Sequence, residues 1–112
     1  MLRSTKSPQR LVRMFHFIVN NTAGTITLEG LDQNQATLVD NGTGDYTITF
    51  SDAFAQVPTA QLTPAEADIH ANIHAISATA IQIKVWDLAT GATPTDGDVH
   101  LTVVGSDIAS NY

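Results

Sequence analysis

The sequence predicts an all-β protein, an antiparallel β-sandwich of about eight strands with jelly-roll or immunoglobulin-like topology, preceded by an extended N-terminal arm. Three observations lead to this prediction. The 112 residues are 43% hydrophobic, only 14% charged, and rich in Thr, Ala, Ile and Val, which is typical of a globular, β-leaning domain. Short segments of alternating polarity recur between turn residues about every 8–12 positions. Positive charge is concentrated at the start of the chain.

The charge distribution divides the chain at residue 13. Four of the five basic residues lie before this point: Arg3, Lys6, Arg10 and Arg13. The remaining 112 − 13 = 99 residues hold eleven carboxylates against Lys84 alone, so the net charges are +4 and 1 − 11 = −10. A basic segment on an acidic body is expected to lie on a negative surface, either a second copy or a larger acidic assembly. We therefore predict a basic arm (1–13), a β-sandwich (14–107) and a polar tail (108–112).

Two strands are predicted before residue 30. Residues 14–19 are β-branched and aromatic, and they place Phe15, Phe17 and Val19 on one face. Asn20 and Asn21 are expected to turn the chain. Residues 25–29 then alternate between polar and apolar side chains, which is the period of a half-buried strand.

The strongest turn signal is the Asn-Gly-Thr-Gly sequence of residues 41–44, because Asn and Gly tolerate the positive φ of tight hairpins. It joins a strand over 36–40 to one over 45–50, whose inward side chains are predicted to be Tyr46, Ile48 and Phe50. Phe54 and Val57 are expected to plug the end of the sandwich. A short strand follows over 59–62.

Residues 63–76 fit two patterns. Thr63 and Glu66 match a capping box with Pro64 at the first helical position, which indicates a helix. The isoleucines and alanines from Ile69 onward also alternate as in a strand. Because the flanking strands leave little room for a helix, we predict a turn over 64–68 and a strand over 70–77.

The last predicted strands cover 81–87 and 99–104, joined by a polar loop over 88–98. Ile81, Ile83 and Val85 are expected to point inward, which places Trp86 on the opposite face. An outward Trp acts either as a lid over the sheet edge or as an interface anchor. The basic arm favours the interface.

Few residues suggest chemistry. The absence of Cys excludes disulfides and thiolate zinc sites. Of the four histidines, His70 and His74 are about 13 Å apart on one strand and so too far apart to share an ion. We interpret them, with His16 and His100, as polar sheet positions, although a metal site or a ring around an oligomer axis stays open. Asp96-Gly97-Asp98 resembles part of a calcium loop, but a hairpin loop uses the same residues.

The sequence does not predict an enzyme, a metal or a cofactor, since it contains no nucleophile-elbow serine and no phosphate-binding loop. No apolar run approaches the roughly 20 residues that span a bilayer. Arg13 and His16 interrupt the apolar start, so we predict no secretion signal and synthesis in the cytoplasm. Nucleic acid is not expected as a partner, because the body is acidic and the arm has no aromatic residue.

Two segments resemble a known group of proteins. Residues 44–54 (GDYTITFSDAF) are similar to a strand-and-plug motif in small β-sandwich domains of tailed-phage virion proteins. Residues 80–87 (AIQIKVWD) and 98–107 (DVHLTVVGSD), with the Gly/Thr/Asp loop between them, resemble the closing hairpin of the same proteins. The likeness covers roughly 36–107 and leaves residues 1–13 outside the motif.

The resemblance implies a capsid decoration (cement) protein, located on the surface of the phage head and made in the host cytoplasm. Its partners would be the major capsid protein and further copies of itself, most simply in a trimer, with no membrane involved. The expected contact residues are those of the arm and the outward Trp: Arg3, Lys6, Arg10, Leu11, Val12, Arg13 and Trp86. The alternatives are a glycan-binding or receptor-binding tip of a tail fibre, and a neck or tail adaptor.

Overall fold

Nine β-strands form two antiparallel sheets in the computed structural model, which describes residues 12–89 and 93–107. The strands are β1 (Val12–Thr22), β2 (Thr25–Glu29), β3 (Ala36–Gly42), β4 (Asp45–Phe50), β5 (Thr59–Pro64), β6 (Ile69–Ile76), β7 (Ala80–Asp87), β8 (Thr93–Pro94) and β9 (Val99–Ser106). A 3₁₀ turn, Gln33–Gln35, precedes β3. No α-helix occurs in the described part of the chain.

One sheet has the order β2-β1-β9-β5, and the other has the order β3-β4-β7-β6 with β8 paired to β7. The two sheets enclose one hydrophobic core. In the first sheet Leu101 lies opposite Phe17 on one side and Leu62 on the other. In the second, Ile81 lies opposite Ile48 and Ile76. The predicted β-sandwich is therefore confirmed.

Strand alternation decides which side chains are buried, because successive residues point to opposite faces of a sheet. The predicted inward sets of β1, β4 and β7 are all buried. The core consists of Phe15, Phe17, Val19, Ala36, Tyr46, Ile48, Phe50, Phe54, Ile81, Ile83, Val85, Val99, Leu101 and Val103. Each fully buried Leu, Ile, Val or Phe side chain contributes about 1.5–3 kcal/mol relative to an exposed one.

The first strand is longer than the sequence predicted. It runs from Val12 to Thr22, so the expected turn at Asn20 and Asn21 is wrong. The chain reverses instead at Ala23 and Gly24, both of which have positive φ. The Asn21 side chain accepts a hydrogen bond from the Gly24 amide at 2.9 Å, which stabilises this turn.

Residues 63–76 form no helix: β5 ends at Pro64, the chain turns over 65–68, and β6 begins at Ile69. Thr63 lies inside β5, and the Glu66 carboxylate accepts a hydrogen bond from the amide of Asp98 instead of closing a capping box. Strand β6 has an irregular register between Ile73 and Ala75. This bulge allows Ile73 and Ile76, an odd and an even position, both to pack against the core.

Only one of the two predicted end plugs is buried. Phe54 is 4% exposed, whereas Val57 is 59% exposed, so the prediction for Val57 is wrong. Pro58 is buried beside Gly105 in its place. The polar loop predicted over 88–98 also contains the two-residue strand β8, whose Pro94 lies opposite Trp86.

Candidate partner-binding surfaces

Hydrogen bonds from the Arg13 side chain hold together one end of the sandwich. Its Nε donates to Asp107 Oδ1 at 2.6 Å, Nη1 to the Asp52 carbonyl at 3.0 Å, and Nη2 to the Ala53 carbonyl at 2.8 Å. The guanidinium carbon lies 4.2 Å from the centroid of the Phe54 ring, within the range of a cation–π contact. One side chain thus joins the start of β1 to the 51–58 loop and the end of β9.

This arrangement gives Arg13 a role inside its own chain. The sequence grouped Arg13 and Val12 with the arm, yet both lie in β1. Arg13 continues the inward series of Phe15, Phe17 and Val19. This period of two is the sequence signal that could have identified Arg13 as an inward side chain. Because all three donor nitrogens Nε, Nη1 and Nη2 are engaged within the chain, Arg13 orders this end of the sandwich, and its predicted contact with a partner stays a prediction.

Three apolar side chains are exposed around Arg13. Val12 is 53% exposed, Met14 is 66% exposed and Val57 is 59% exposed. Val57 belongs to this group because Pro58, the next residue, packs beside Gly105, which lies opposite Arg13. We refer to Val12, Arg13, Met14 and Val57 as the Arg13 end. Residues 1–11 join the described chain here, and the predicted contacts Arg3, Lys6, Arg10 and Leu11 lie outside the described residues.

Trp86 lies at the other end of the molecule. The amide of Asn21, nine positions after Val12 on β1, donates to Asp98 at 2.7 Å, and nine residues of strand extend about 30 Å. Thr95, in the same loop as Asp98, donates from its amide to the carbonyl of Val85, next to Trp86. The structure therefore does not bring Trp86 together with Val12 and Arg13, and these three predicted contacts fall on two separate surfaces.

The indole of Trp86 is half-buried and stacks against His70, with ring centroids 5.8 Å apart and planes 27° apart. It belongs to the outward set of the five-stranded sheet, and we call one part of this set the polar face. The polar face consists of Asp45, His70, Asn72, Gln82, Lys84 and Trp86.

Hydrogen bonds fix the carboxylate of the polar face. Asp45 Oδ1 accepts from Gln82 Nε2 at 2.9 Å and from Asn41 Nδ2 at 3.2 Å. Lys84 Nζ lies 3.9 Å from Asp45 Oδ2. The hydrogen bond from Gln82, with smaller contributions from Asn41 and the charge of Lys84, holds the pKa of Asp45 below its ordinary value, although partial desolvation opposes this shift.

The four histidines separate into two pairs on different sheets. His16 and His100 meet edge-to-face across β1 and β9, with ring centroids 6.0 Å apart. His70 and His74 belong to β6 in the other sheet, so neither meets His100 across neighbouring strands. Among residues 12–89 and 93–107, no group of three His, Asp or Glu side chains is arranged to hold a metal ion.

Asp96 and Asp98 fasten the end of the sandwich opposite Arg13. Asp96 Oδ1 accepts from the Gly44 amide at 2.9 Å and from the Tyr46 hydroxyl at 2.8 Å, and Asp98 accepts from the Asn21 amide. Burial of the phenol, followed by its hydrogen bond to Asp96, raises the pKa of Tyr46 above its ordinary value. These carboxylates accept from amides and a hydroxyl that are distant in sequence.

No helix in the described part of the chain has the length and apolar character needed to cross a bilayer. Comparisons with protein families, with curated proteins and with solved structures find no match to this chain.

Proposed function

We propose that this protein is a structural component of a tailed-phage virion, a decoration protein that binds the outer surface of the head and stabilises the capsid lattice by bridging subunits. The proposal is supported by the sequence resemblance over roughly 36–107 and by the β-sandwich architecture, which provides a rigid body for adhesion. It requires no catalysis.

The observation that carries the proposal is the distribution of charge. The described residues contain two cations against eleven carboxylates, a net charge of 2 − 11 = −9. Both cations are used internally, Arg13 with Asp107 at 2.6 Å and Lys84 with Asp45 at 3.9 Å. The positive charge available to a partner therefore resides in residues 1–11, which contribute Arg3, Lys6 and Arg10. An acidic partner surface is the complement of this segment.

Apolar contacts would supply most of the affinity. An exposed ion pair contributes only about 0–1 kcal/mol, so three basic residues cannot hold a subunit tightly by charge alone. Val12 and Met14 are more than half exposed directly after the basic segment, and they offer an apolar anchor next to it. Repetition over many lattice sites, and association of copies in an oligomer such as a trimer, would multiply a weak single contact.

Copy number tests the role. Quantitative mass spectrometry of purified virions should find hundreds of copies per particle if the protein decorates the capsid. A few dozen copies or fewer would contradict decoration and favour the alternatives, a fibre tip or a neck adaptor. Absence from virions would contradict the whole proposal.

Charge variants test the contact. The triple substitution Arg3→Glu, Lys6→Glu and Arg10→Glu should abolish binding to heads that lack the protein, whereas the matched variant with Arg3→Lys and Arg10→Lys should retain it. A deletion should end at residue 11, because removing residues 12 and 13 would also cut β1 and remove Arg13. If the triple variant binds with unchanged affinity and salt dependence, residues 1–11 do not make the contact.

A further inference from the structure

The polar face combines stacked rings with a row of hydrogen-bonding groups. We propose that this face binds a neutral oligosaccharide. This activity goes beyond adhesion to a capsid and does not depend on it, because the polar face is distant from the Arg13 end.

The rings provide the apolar half of the site. Trp86 and His70 lie opposite one another on β7 and β6, and their rings are stacked. His70 is exposed and Trp86 is half-buried, so the pair forms a ledge that still contacts solvent. The C–H groups on one side of a sugar ring pack favourably on such aromatic surfaces through dispersion.

The polar half lies one row further along the sheet. Asp45, Lys84 and Asn72 are in register on the neighbouring strands β4, β7 and β6, so they are about 4.8 Å apart from strand to strand. The Asn72 side chain is exposed and makes no hydrogen bond within the described part of the chain. Its amide can both donate to and accept from sugar hydroxyls.

Hydrogen bonds fix the orientation of the neighbouring Asp45 carboxylate. Gln82 and Asn41 fix Asp45 Oδ1, and Oδ2 lies 3.9 Å from Lys84 Nζ. An acceptor and a donor at this separation can each bind one of two adjacent hydroxyls. The groups are on strands rather than loops, which keeps their geometry fixed before a ligand arrives.

Charge decides the class of ligand. The positive charge of Lys84 is balanced by the negative charge of Asp45, so the row of Asp45, Lys84 and Asn72 favours a neutral ligand. A nucleic acid would need several cations for its phosphates, and an apolar peptide would leave the amides and the carboxylate unpaired. From Trp86 to Gln82 the face extends four residues, about 13 Å, which suits an oligosaccharide better than a single sugar.

The test is an NMR titration of the isotope-labelled protein with a panel of neutral oligosaccharides: cellohexaose, maltohexaose, mannohexaose and N-acetylchitohexaose. At least one should shift backbone amide signals of β4, β6 and β7. Trp86→Ala should then weaken binding about tenfold or more, and Asn72→Ala severalfold. Gln61→Ala, an exposed position on the opposite sheet, is the matched control and should leave the affinity unchanged.

Several outcomes would overturn the proposal. It fails if no member of the panel shifts these signals, or if the shifts fall on another surface. Tighter binding of heparin or single-stranded DNA than of every neutral sugar would reject the assignment of a neutral ligand. Because Trp86 is half-buried, its variant is checked for folding in the same spectra. If that variant unfolds, Asn72→Ala decides alone, and unchanged affinity there also rejects the site.

Discussion

At each end of the sandwich, one charged side chain forms hydrogen bonds to segments distant in sequence, and the two side chains have opposite charge. At the Arg13 end, one cation donates to the carbonyls of Asp52 and Ala53 and to the carboxylate of Asp107. At the opposite end, which we call the Asp96 end, one carboxylate oxygen accepts from the Gly44 amide and the Tyr46 hydroxyl. Arg13 and Asp96 each join segments far apart in sequence, and so they close the sandwich where the hydrogen bonds between strands stop.

The difference between the ends is access to water. The carbonyl partners of Arg13 lie in an exposed loop and Asp107 is also exposed, so water can replace the arginine if it is lost. Gly44 is buried and Tyr46 is fully buried, and water cannot easily reach their donors. A buried donor without an acceptor costs about 1–3 kcal/mol, more than the net gain of an ordinary hydrogen bond. Loss of the Asp96 carboxylate is therefore expected to lower the free energy of unfolding more than loss of the Arg13 guanidinium.

The largest effect should come from Asp96→Ala. The substitution leaves the Gly44 amide and the Tyr46 hydroxyl without their acceptor, and we expect the free energy of unfolding to fall by about 2–4 kcal/mol. Urea denaturation at neutral pH measures this change.

The matched control is Asp40→Ala. Asp40 also accepts from a backbone amide, that of Gly42, at 3.0 Å, but on the exposed surface. Its removal should change the free energy of unfolding by no more than about 0.5 kcal/mol. Equal losses in the two variants would show that burial does not distinguish these hydrogen bonds.

Arg13→Ala should have the second largest effect. It removes two hydrogen bonds to carbonyls, the ion pair with Asp107 and the cation–π contact with Phe54, and we expect a loss of about 1–3 kcal/mol in the free energy of unfolding. Arg13→Lys should recover only part of this loss, because an ammonium cannot reproduce the planar fork of donors.

Asp107→Asn separates the ion pair from the other contacts of Arg13. Since the Asp107 side chain is 31% exposed, the substitution should cost less than about 1 kcal/mol. An unchanged stability of Arg13→Ala together with lost binding to phage heads would reject the internal role and restore Arg13 to the arm.

Much of the fold could be predicted from the sequence, because alternation alone specifies the inward side chains of β1, β4 and β7. What could not be predicted depends on contacts distant in sequence. The Asn21 amide in β1 donates to Asp98, 77 residues later. The Asp98 amide in turn donates to Glu66, the carboxylate that the capping-box pattern required.

The candidate sites also depend on contacts distant in sequence, which the sequence alone does not predict. The sequence identified Trp86 as outward, but it could not place His70 beside it, because the register between β6 and β7 is a tertiary property. Arg13 was assigned to the arm by charge, although its period matched the core side chains of β1. Local charge predicts a partner contact for Arg13 and local period predicts an inward side chain, and the contact with Phe54 shows the inward position.

The effect most specific to the Asp96 end should come from Tyr46→Phe, and at neutral pH it should be smaller than the effects of Asp96→Ala and Arg13→Ala. Removing the hydroxyl takes away one hydrogen bond but leaves Asp96 bonded to Gly44, so the free energy of unfolding should fall by about 0.5–1.5 kcal/mol near pH 7. The effect should depend on pH. Folding raises the pKa of Tyr46 above its ordinary value of 10.0, so the stability that the neutral phenol contributes is present below about pH 10.

Above this pH the unfolded chain ionises and the wild type loses stability, whereas a phenylalanine at position 46 cannot ionise. The difference between the two proteins should therefore stay constant up to about pH 10 and shrink between about pH 10 and about pH 11. Tyr112, the other tyrosine, is present in both proteins. Urea denaturation across this range measures the difference. A constant difference would mean that Tyr46 titrates alike in the folded and unfolded chains, and that the Asp96 end is as open to water as the Arg13 end.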